Sequence, residues 1–188
     1  MHLIPRLKAT NSVLVVVDVQ DKLLAAIPSA ASLVKNVAFL LDAAKELHVP
    51  IRATEQYPKG LGPTTAEIAR RIGKDIPAKT KFSCCGADDF LNELQTRDHP
   101  HVVLVGMETH VCISQTAFDL IEAGIKVFVP VDAVASRHDI DCQTALTRMK
   151  QVGAILTTVE AVAFEWLADA SHPAFKAVQK LVIERTKQ

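Results

Sequence analysis

Two stretches of this chain, Val13-Leu14-Val15-Val16-Val17 and Val102-Val103-Leu104-Val105, are apolar at every position. A strand with one wet face alternates apolar and polar residues, so an unbroken run of this kind reads as a strand buried on both faces. Helices must then cover the sheet on either side, which is the parallel α/β arrangement. The remainder agrees, because short β-branched runs alternate with longer helical stretches in the manner of βαβ units.

Further strands are expected at Val49 to Thr54, Ile76 to Thr80, Ile125 to Pro130 and Ala154 to Thr157. Between them the spacing predicts helices over Ser29 to Leu47, with Leu33, Val37, Leu40, Leu41 and Ala44 on one face, and over Ala66 to Ile72, Asp88 to Thr96, Ser114 to Ala123 and Asp139 to Gln151. Gly124 and Gly153 stand where helices stop, and Val159 to Ala168 and Pro173 to Glu184 close the chain. The segment Glu55 to Thr64 reads as a long loop rich in Gly and Pro, a kind of loop that is often functional. No internal repeat or linker breaks the pattern, so residues 1–188 are expected to form a single domain.

The 188 residues are 49% hydrophobic, enough for one well-filled core. Lys plus Arg and Asp plus Glu each number 21, so no net field favours nucleic acid or a membrane surface, and small, weakly charged ligands fit better. Four irregularly spaced cysteines, with no signal-like start, point to reduced thiols in a cytoplasmic protein. No apolar run approaches the ~20 residues of a membrane span.

The strand Val102 to Val105 leads into Gly106-Met107-Glu108-Thr109-His110-Val111-Cys112. With Thr109 as N-cap, Cys112 lies in the first turn of a helix, where unpaired N–H groups and the positive end of the dipole favour a thiolate. The carboxyl end of a parallel strand is also where open α/β sheets bind ligands. Cys84, Cys85 and Cys142 lack such a setting and read as packed thiols.

Asp18 follows the first strand and Lys79 lies at the third, so both can reach the same rim as Cys112. A carboxylate to take the thiol proton, an ammonium to hold negative charge and backbone donors for an oxyanion make an acyl-transfer site. Positions 79 and 81 share a strand face, so alternation alone does not choose between the two lysines. The first strand enters Asp18-Val19-Gln20-Asp21 rather than a Gly-x-Gly-x-x-Gly turn, which argues against a dinucleotide site.

Three stretches, Val15-Val16-Val17-Asp18-Val19-Gln20, Lys79-Thr80-Lys81-Phe82-Ser83 and Gly106 to Cys112, resemble the motifs of the isochorismatase-like (cysteine hydrolase) superfamily. The resemblance covers nearly the whole chain, and Thr54 to Thr64 and Ser136-Arg137 add similarity to a narrower group within it. It implies a Rossmann-like, three-layer α/β/α sandwich around a six-stranded parallel sheet in the order 3-2-1-4-5-6. Asp18, Lys79 and Cys112 would be the catalytic triad, Lys79 being chosen because it stands three residues before Phe82. The Glu108 and Cys112 N–H groups would form the oxyanion hole, with a cis peptide between Met107 and Glu108.

Members that cleave isochorismate lack a nucleophilic cysteine, so Cys112 points to hydrolysis of an amide-type C–N bond through a thioester. Metal-binding members carry histidines after the second strand, where this chain has Thr54-Glu55-Gln56-Tyr57-Pro58, so no metal and no other cofactor is expected. Gln20, Gln56 and Tyr57 are candidate substrate contacts, although Gln20 has the alternative of binding a loop backbone. His110 is expected at the rim, and Arg137 to pair with a neighbouring acid in preference to a substrate carboxylate. The resemblance and the apolar segment Ala161 to Leu167, with Trp166, suggest a homo-oligomer, unless Trp166 packs within its own subunit. A rival reading is a binding or assembly protein that has kept the fold around a vestigial site.

Overall fold

Alternation along the buried strands divides the interior into two cores. In the computed structural model, which describes residues 6–73, 75–87, 89–96 and 100–186, the strands are β1 Ser12–Val17, β2 Ile51–Gln56, β3 Ala78–Lys79, β4 His101–Met107, β5 Lys126–Pro130, β6 Val134–Ala135 and β7 Ile155–Thr157. The helices are α1 Asp21–Leu24, α2 Ala30–Glu46, α3 Pro58–Leu61, α4 Ala66–Ile72, α5 Phe90–Gln95, α6 Ser114–Glu122, α7 Asp139–Gln151, α8 Val159–Leu167 and α9 Phe175–Thr186. Leu14, Val16, Val103, Val105 and Phe128 face a core built with α2, α4, α8 and α9. Their neighbours Val13, Val15, Val17, Val102, Leu104, Val127 and Val129 face a second core built with α5, α6 and α7. Every residue of β1 and β4 is buried, as the unbroken apolar runs require.

The strands pair in parallel in the order β3-β2-β1-β4-β5-β7. This is the expected order, with the expected sixth strand as β7. The addition is β6, which pairs Val134 with Gly106 and Ala135 with Met107. Two residues carry no detectable period, so nothing in the pattern announced it. β2 starts later than expected because the Val49 N–H closes α2 on the Ala44 carbonyl at 2.8 Å and Pro50 has no N–H to give. It runs on through Glu55 and Gln56, which pair with Ala78 and Lys79.

Several expected boundaries shift by a residue or two, and the expected helix start at Asp88 lies outside the described residues. α4 and α7 have the expected bounds, and α6 is followed, after Ala123, by Gly124, whose φ of +79° is left-handed. At the far end of the chain, Arg185 donates to Asn36 Oδ1 at 2.9 Å and Asp132 Oδ2 at 3.1 Å, tying α9 to α2 and to the turn after β5. Trp166 is 3% exposed and packs within its own chain, which removes the expected interface side chain. Among the described residues no helix is long and apolar enough to cross a membrane.

Gly106 fixes how closely β4 approaches β1. Its φ is +118°, and a Cβ added there would run into the carbonyl oxygen of Val17 and lie 2.8 Å from the Val17 nitrogen. Neither obstacle is a flexible side chain. Gly106→Ala is therefore expected to destabilise the fold by about 3 kcal/mol or more, the sum of a disfavoured backbone and an overpacked strand pair. Chemical denaturation checks this, with a lowered midpoint as the expected result.

Candidate active site

Asp18 is the first residue beyond β1, and its φ of +52° turns the side chain off the strand direction. Asp is one of the few residue types that adopt this conformation readily. The turn is held by the Asp18 N–H on the Thr54 carbonyl at 3.1 Å and by the Gln20 N–H on the Asp18 carbonyl at 2.8 Å. The carboxylate is thereby presented, fully buried, at the carboxyl edge of the sheet.

β3 brings Lys79 to the same edge. Its Nζ donates to Asp18 Oδ2 at 2.7 Å, and both side chains are wholly enclosed. Gln56 Oε1 lies 2.7 Å from Nζ, the Phe82 carbonyl 2.9 Å and the Lys81 carbonyl 3.3 Å. Four oxygens around an ammonium with three protons replace the water it has lost, which is what a buried charge requires. Lys81 contributes only its carbonyl, while its side chain stays at the surface. Tertiary placement thus makes the choice between lysines that strand alternation left open.

Cys112 sits in a π-helical turn, Thr109–Ile113, that feeds directly into α6. The Ile113 N–H reaches back five residues to the Glu108 carbonyl at 3.1 Å. Glu108 occupies the N-cap position, whereas the expected cap, Thr109, is buried one residue inside and accepts from the Cys142 thiol at 3.5 Å. The Met107–Glu108 peptide is cis, as the resemblance implies. Cys112 lies within range of the charges of both Asp18 and Lys79, so all three expected residues share this edge.

The electrostatics differ from the expectation of a ready thiolate. Burial, and then the charge of Asp18, push the Cys112 thiol up to about 12 against the pull of Lys79. Burial also raises the Asp18 carboxyl, opposed by Lys79, Cys112 and Thr54. A helix terminus contributes ~0.3–1 kcal/mol in ordinary settings, which is too little to outweigh burial together with a nearby carboxylate. The resting cluster is one ammonium, one carboxylate and one thiol. Moving the thiol proton onto Asp18 leaves the net charge unchanged, so the transfer requires no further charge in the interior.

The remaining expected residues divide by their hydrogen bonds. Gln20 is buried, its Oε1 accepting from the Gln56 N–H at 2.8 Å and its Nε2 donating to the carbonyls of Gln56, at 3.1 Å, and Gly62. Of the two roles open to it, these bonds fill the loop-backbone one. The Gln56 side chain spans from Lys79 Nζ to the Thr80 carbonyl, at 2.9 Å, and so orients the lysine. Tyr57 is 54% exposed beside a groove of about 400 Å³ that Lys79, Thr80 and Ala87 also line. Arg137 pairs with Glu108 at 2.9 Å, and His110 Nδ1 lies 3.0 Å from Ser136 Oγ.

Thr54 and Cys84 join the cluster without having been singled out. Thr54 Oγ1 donates to Asp18 Oδ1 at 2.9 Å and lies 3.4 Å from Cys84 Sγ. A threonine in a strand reads as β-propensity and a lone cysteine as packing, so local sequence held no signal for either. Among the described residues no group of three or more His, Cys, Asp and Glu side chains is arranged to hold a metal ion. A separate groove of about 440 Å³ against α2, α4 and α9 is lined by paired charges such as Arg71 with Asp42 and Glu67, and holds no nucleophile.

A sequence model of the isochorismatase domain matches residues 12–161. Isochorismatase domain-containing protein 2 of Xenopus laevis is 43% identical over 182 residues, covering 96% of this chain and 88% of that one. Among solved structures, MAR1 ribonuclease from Caenorhabditis elegans superposes with a TM-score of 0.89 at 41% identity, covering 95% of this chain and 93% of its own. The YcaC gene product of Escherichia coli, described as an octameric hydrolase of unknown specificity, superposes with a TM-score of 0.81 at 26% identity, covering 100% and 99%. Matched over most of its length by the family's own pattern and by relatives above 40% identity, the chain belongs to the isochorismatase family.

Proposed function

We propose that this protein is a cysteine hydrolase that cleaves a C–N bond of a small amide-type substrate through a thioester on Cys112. The observation that carries the reading is Cys112 held at the same buried edge as the Asp18–Lys79 ion pair, close enough for its thiol to feel both charges. Asp18 takes the thiol proton as sulfur attacks the carbonyl carbon, and the N–H groups of Glu108 and Cys112 receive the oxyanion. The leaving amine collects the proton from Asp18 as the C–N bond breaks. Water then attacks the thioester, giving its proton to Asp18, and Cys112 regains a proton as the acid departs. Lys79 stays charged throughout and offsets the negative charge that moves between sulfur, oxygen and carboxylate.

The nucleophile is part of the chain, so the mechanism needs no metal-bound water. The residues at the end of β2 do not suit a metal, because Glu55 Oε1 accepts from Thr64 and Gln56 is engaged with Lys79. The Caenorhabditis elegans relative is described as a ribonuclease, and RNA is accordingly the second substrate to be tested. Enclosure of Lys79 by four oxygens leaves it no free face for a phosphate, which favours the amide. A vestigial site would gain nothing from keeping two buried charges whose desolvation costs several kcal/mol each. That favours an enzyme over a binding module.

A screen of small amides, ureides and carbamoyl compounds, read by mass spectrometry for an acyl adduct on Cys112, tests the proposal. Cys112→Ala is expected to abolish both adduct and turnover in a folded protein, and Asp18→Asn to slow turnover by several orders of magnitude. Full activity of Cys112→Ala on a true substrate, or cleavage of RNA alone, contradicts the reading.

The pH profile follows from the direction of the Asp18 shift. Asp18 is a base only when ionised, and its pKa lies above the ordinary 3.8, so kcat/KM is expected to fall with acid already above that pH. An acid limb at or below the ordinary aspartate value would mean that Asp18 is not the base.

Self-association is proposed on the family resemblance and on the octamer described for the Escherichia coli relative. With Trp166 buried, the exposed Phe164 and Ile183 are the large apolar side chains left on the closing helices. Light scattering is expected to give a dimer or larger, and a monomer across micromolar concentrations would rule this out.

A further inference from the structure

Thr54 enters no step of the proposed reaction, yet its hydroxyl is buried between the carboxylate of Asp18 and the thiol of Cys84. A hydroxyl has one proton, and an ionised carboxylate only accepts. With Asp18 charged, the Thr54 proton must therefore point to Asp18 Oδ1, which leaves Cys84 as the donor to the Thr54 oxygen. Cys84 holds a proton to donate, since burial and the charge of Asp18 push its thiol up to about 11. Both donors in this chain of hydrogen bonds are directed toward the carboxylate.

Cys84 is itself fixed in place. Its N–H donates to Thr116 Oγ1 at 2.9 Å, and that hydroxyl donates to the Cys112 carbonyl at 2.6 Å. The segment after β3 is thus fastened to the turn that carries the nucleophile, and Cys84 is aimed at Thr54 by the same contact.

We propose that Thr54, oriented by the Cys84 thiol, is a positioning residue that holds Oδ1 of Asp18 and keeps the carboxylate ionised for its work on Cys112. This rests on the reading of Asp18 and Cys112 as the reacting pair. The titratable groups facing Asp18 are Lys79 from β3, Cys112 from the turn after β4 and, across Thr54, Cys84 from the segment after β3. Without the Thr54 hydroxyl, Lys79 and Cys112 alone oppose the effect of burial. Asp18 then protonates at a higher pH.

Thr54→Val removes the hydroxyl at nearly constant volume, and Thr54→Ser restores it. The readout is the rate at which chloroacetamide alkylates Cys112 as a function of pH, followed by mass spectrometry of the intact protein. Carbon–sulfur bond formation expels chloride, and the thiol proton passes to Asp18, so the rate reports the base without any substrate. Thr54→Val is expected to move the acid limb up by about one pH unit, the size of effect a lost hydrogen bond to a charged group gives. Thr54→Ser should keep the wild-type limb, and Cys84→Ala should move it in the same direction by less.

A merely structural role would lower the thermal midpoint and leave the limb where it is. Coincident limbs in wild type and folded Thr54→Val would overturn the proposal, and an unmoved limb in Cys84→Ala would remove Cys84 from it. Turnover by Cys112→Ala would defeat the proposed function instead, while the alkylation profile still reports on Thr54.

Discussion

The ion pair between Asp18 and Lys79, 2.7 Å long and without solvent contact, is the constraint around which this edge of the molecule is built. Two buried charges are tolerated only when almost every lone pair and proton is occupied, and the surroundings supply the partners. Thr54 serves one carboxylate oxygen, and Gln56 with the carbonyls of Lys81 and Phe82 serves the ammonium. Gln20 in turn holds the backbone of Gln56 and Gly62. The loop after β2 thus owes its conformation in part to a side chain from the far end of β1.

That arrangement sets the state of the Cys112 thiol. Cys112 stands at the start of a helix, which favours a thiolate, and against an ionised carboxylate, which opposes one. Burial and the charge of Asp18 prevail over a partial charge spread across a helix turn, so the resting sulfur keeps its proton. A proton can pass between sulfur and carboxylate there without a change in net charge.

Backbone conformation at two positions makes this proximity possible. Asp18 leaves β1 in a left-handed conformation that turns its carboxylate off the strand, and Gly106 lets β4 come close enough to Val17 that any side chain would be excluded. The two positions are neighbours across paired strands, since Gly106 is the partner of Val17, the residue before Asp18. The close approach of β1 and β4 therefore lies where Asp18 and the turn bearing Cys112 emerge.

The unbroken apolar runs of β1 and β4 called for a sheet covered on both faces, and their alternation with helical stretches made that sheet parallel. The strand order, and the choice of Lys79 over Lys81, were legible only through motif resemblance, because local pattern places residues at a common rim without saying which strands are neighbours. Some features had no trace in the sequence. β6 is too short to show a period, Thr54 and Cys84 look like ordinary strand and core residues, and the protonated state of Cys112 depends on a carboxylate far away along the chain. Sequence alone determined which segments must be buried and what chemistry stood at their ends, since hydrophobic periodicity and residue type are local. Only the tertiary structure decided which side chains share protons, since hydrogen bonding and burial depend on distances that the fold creates.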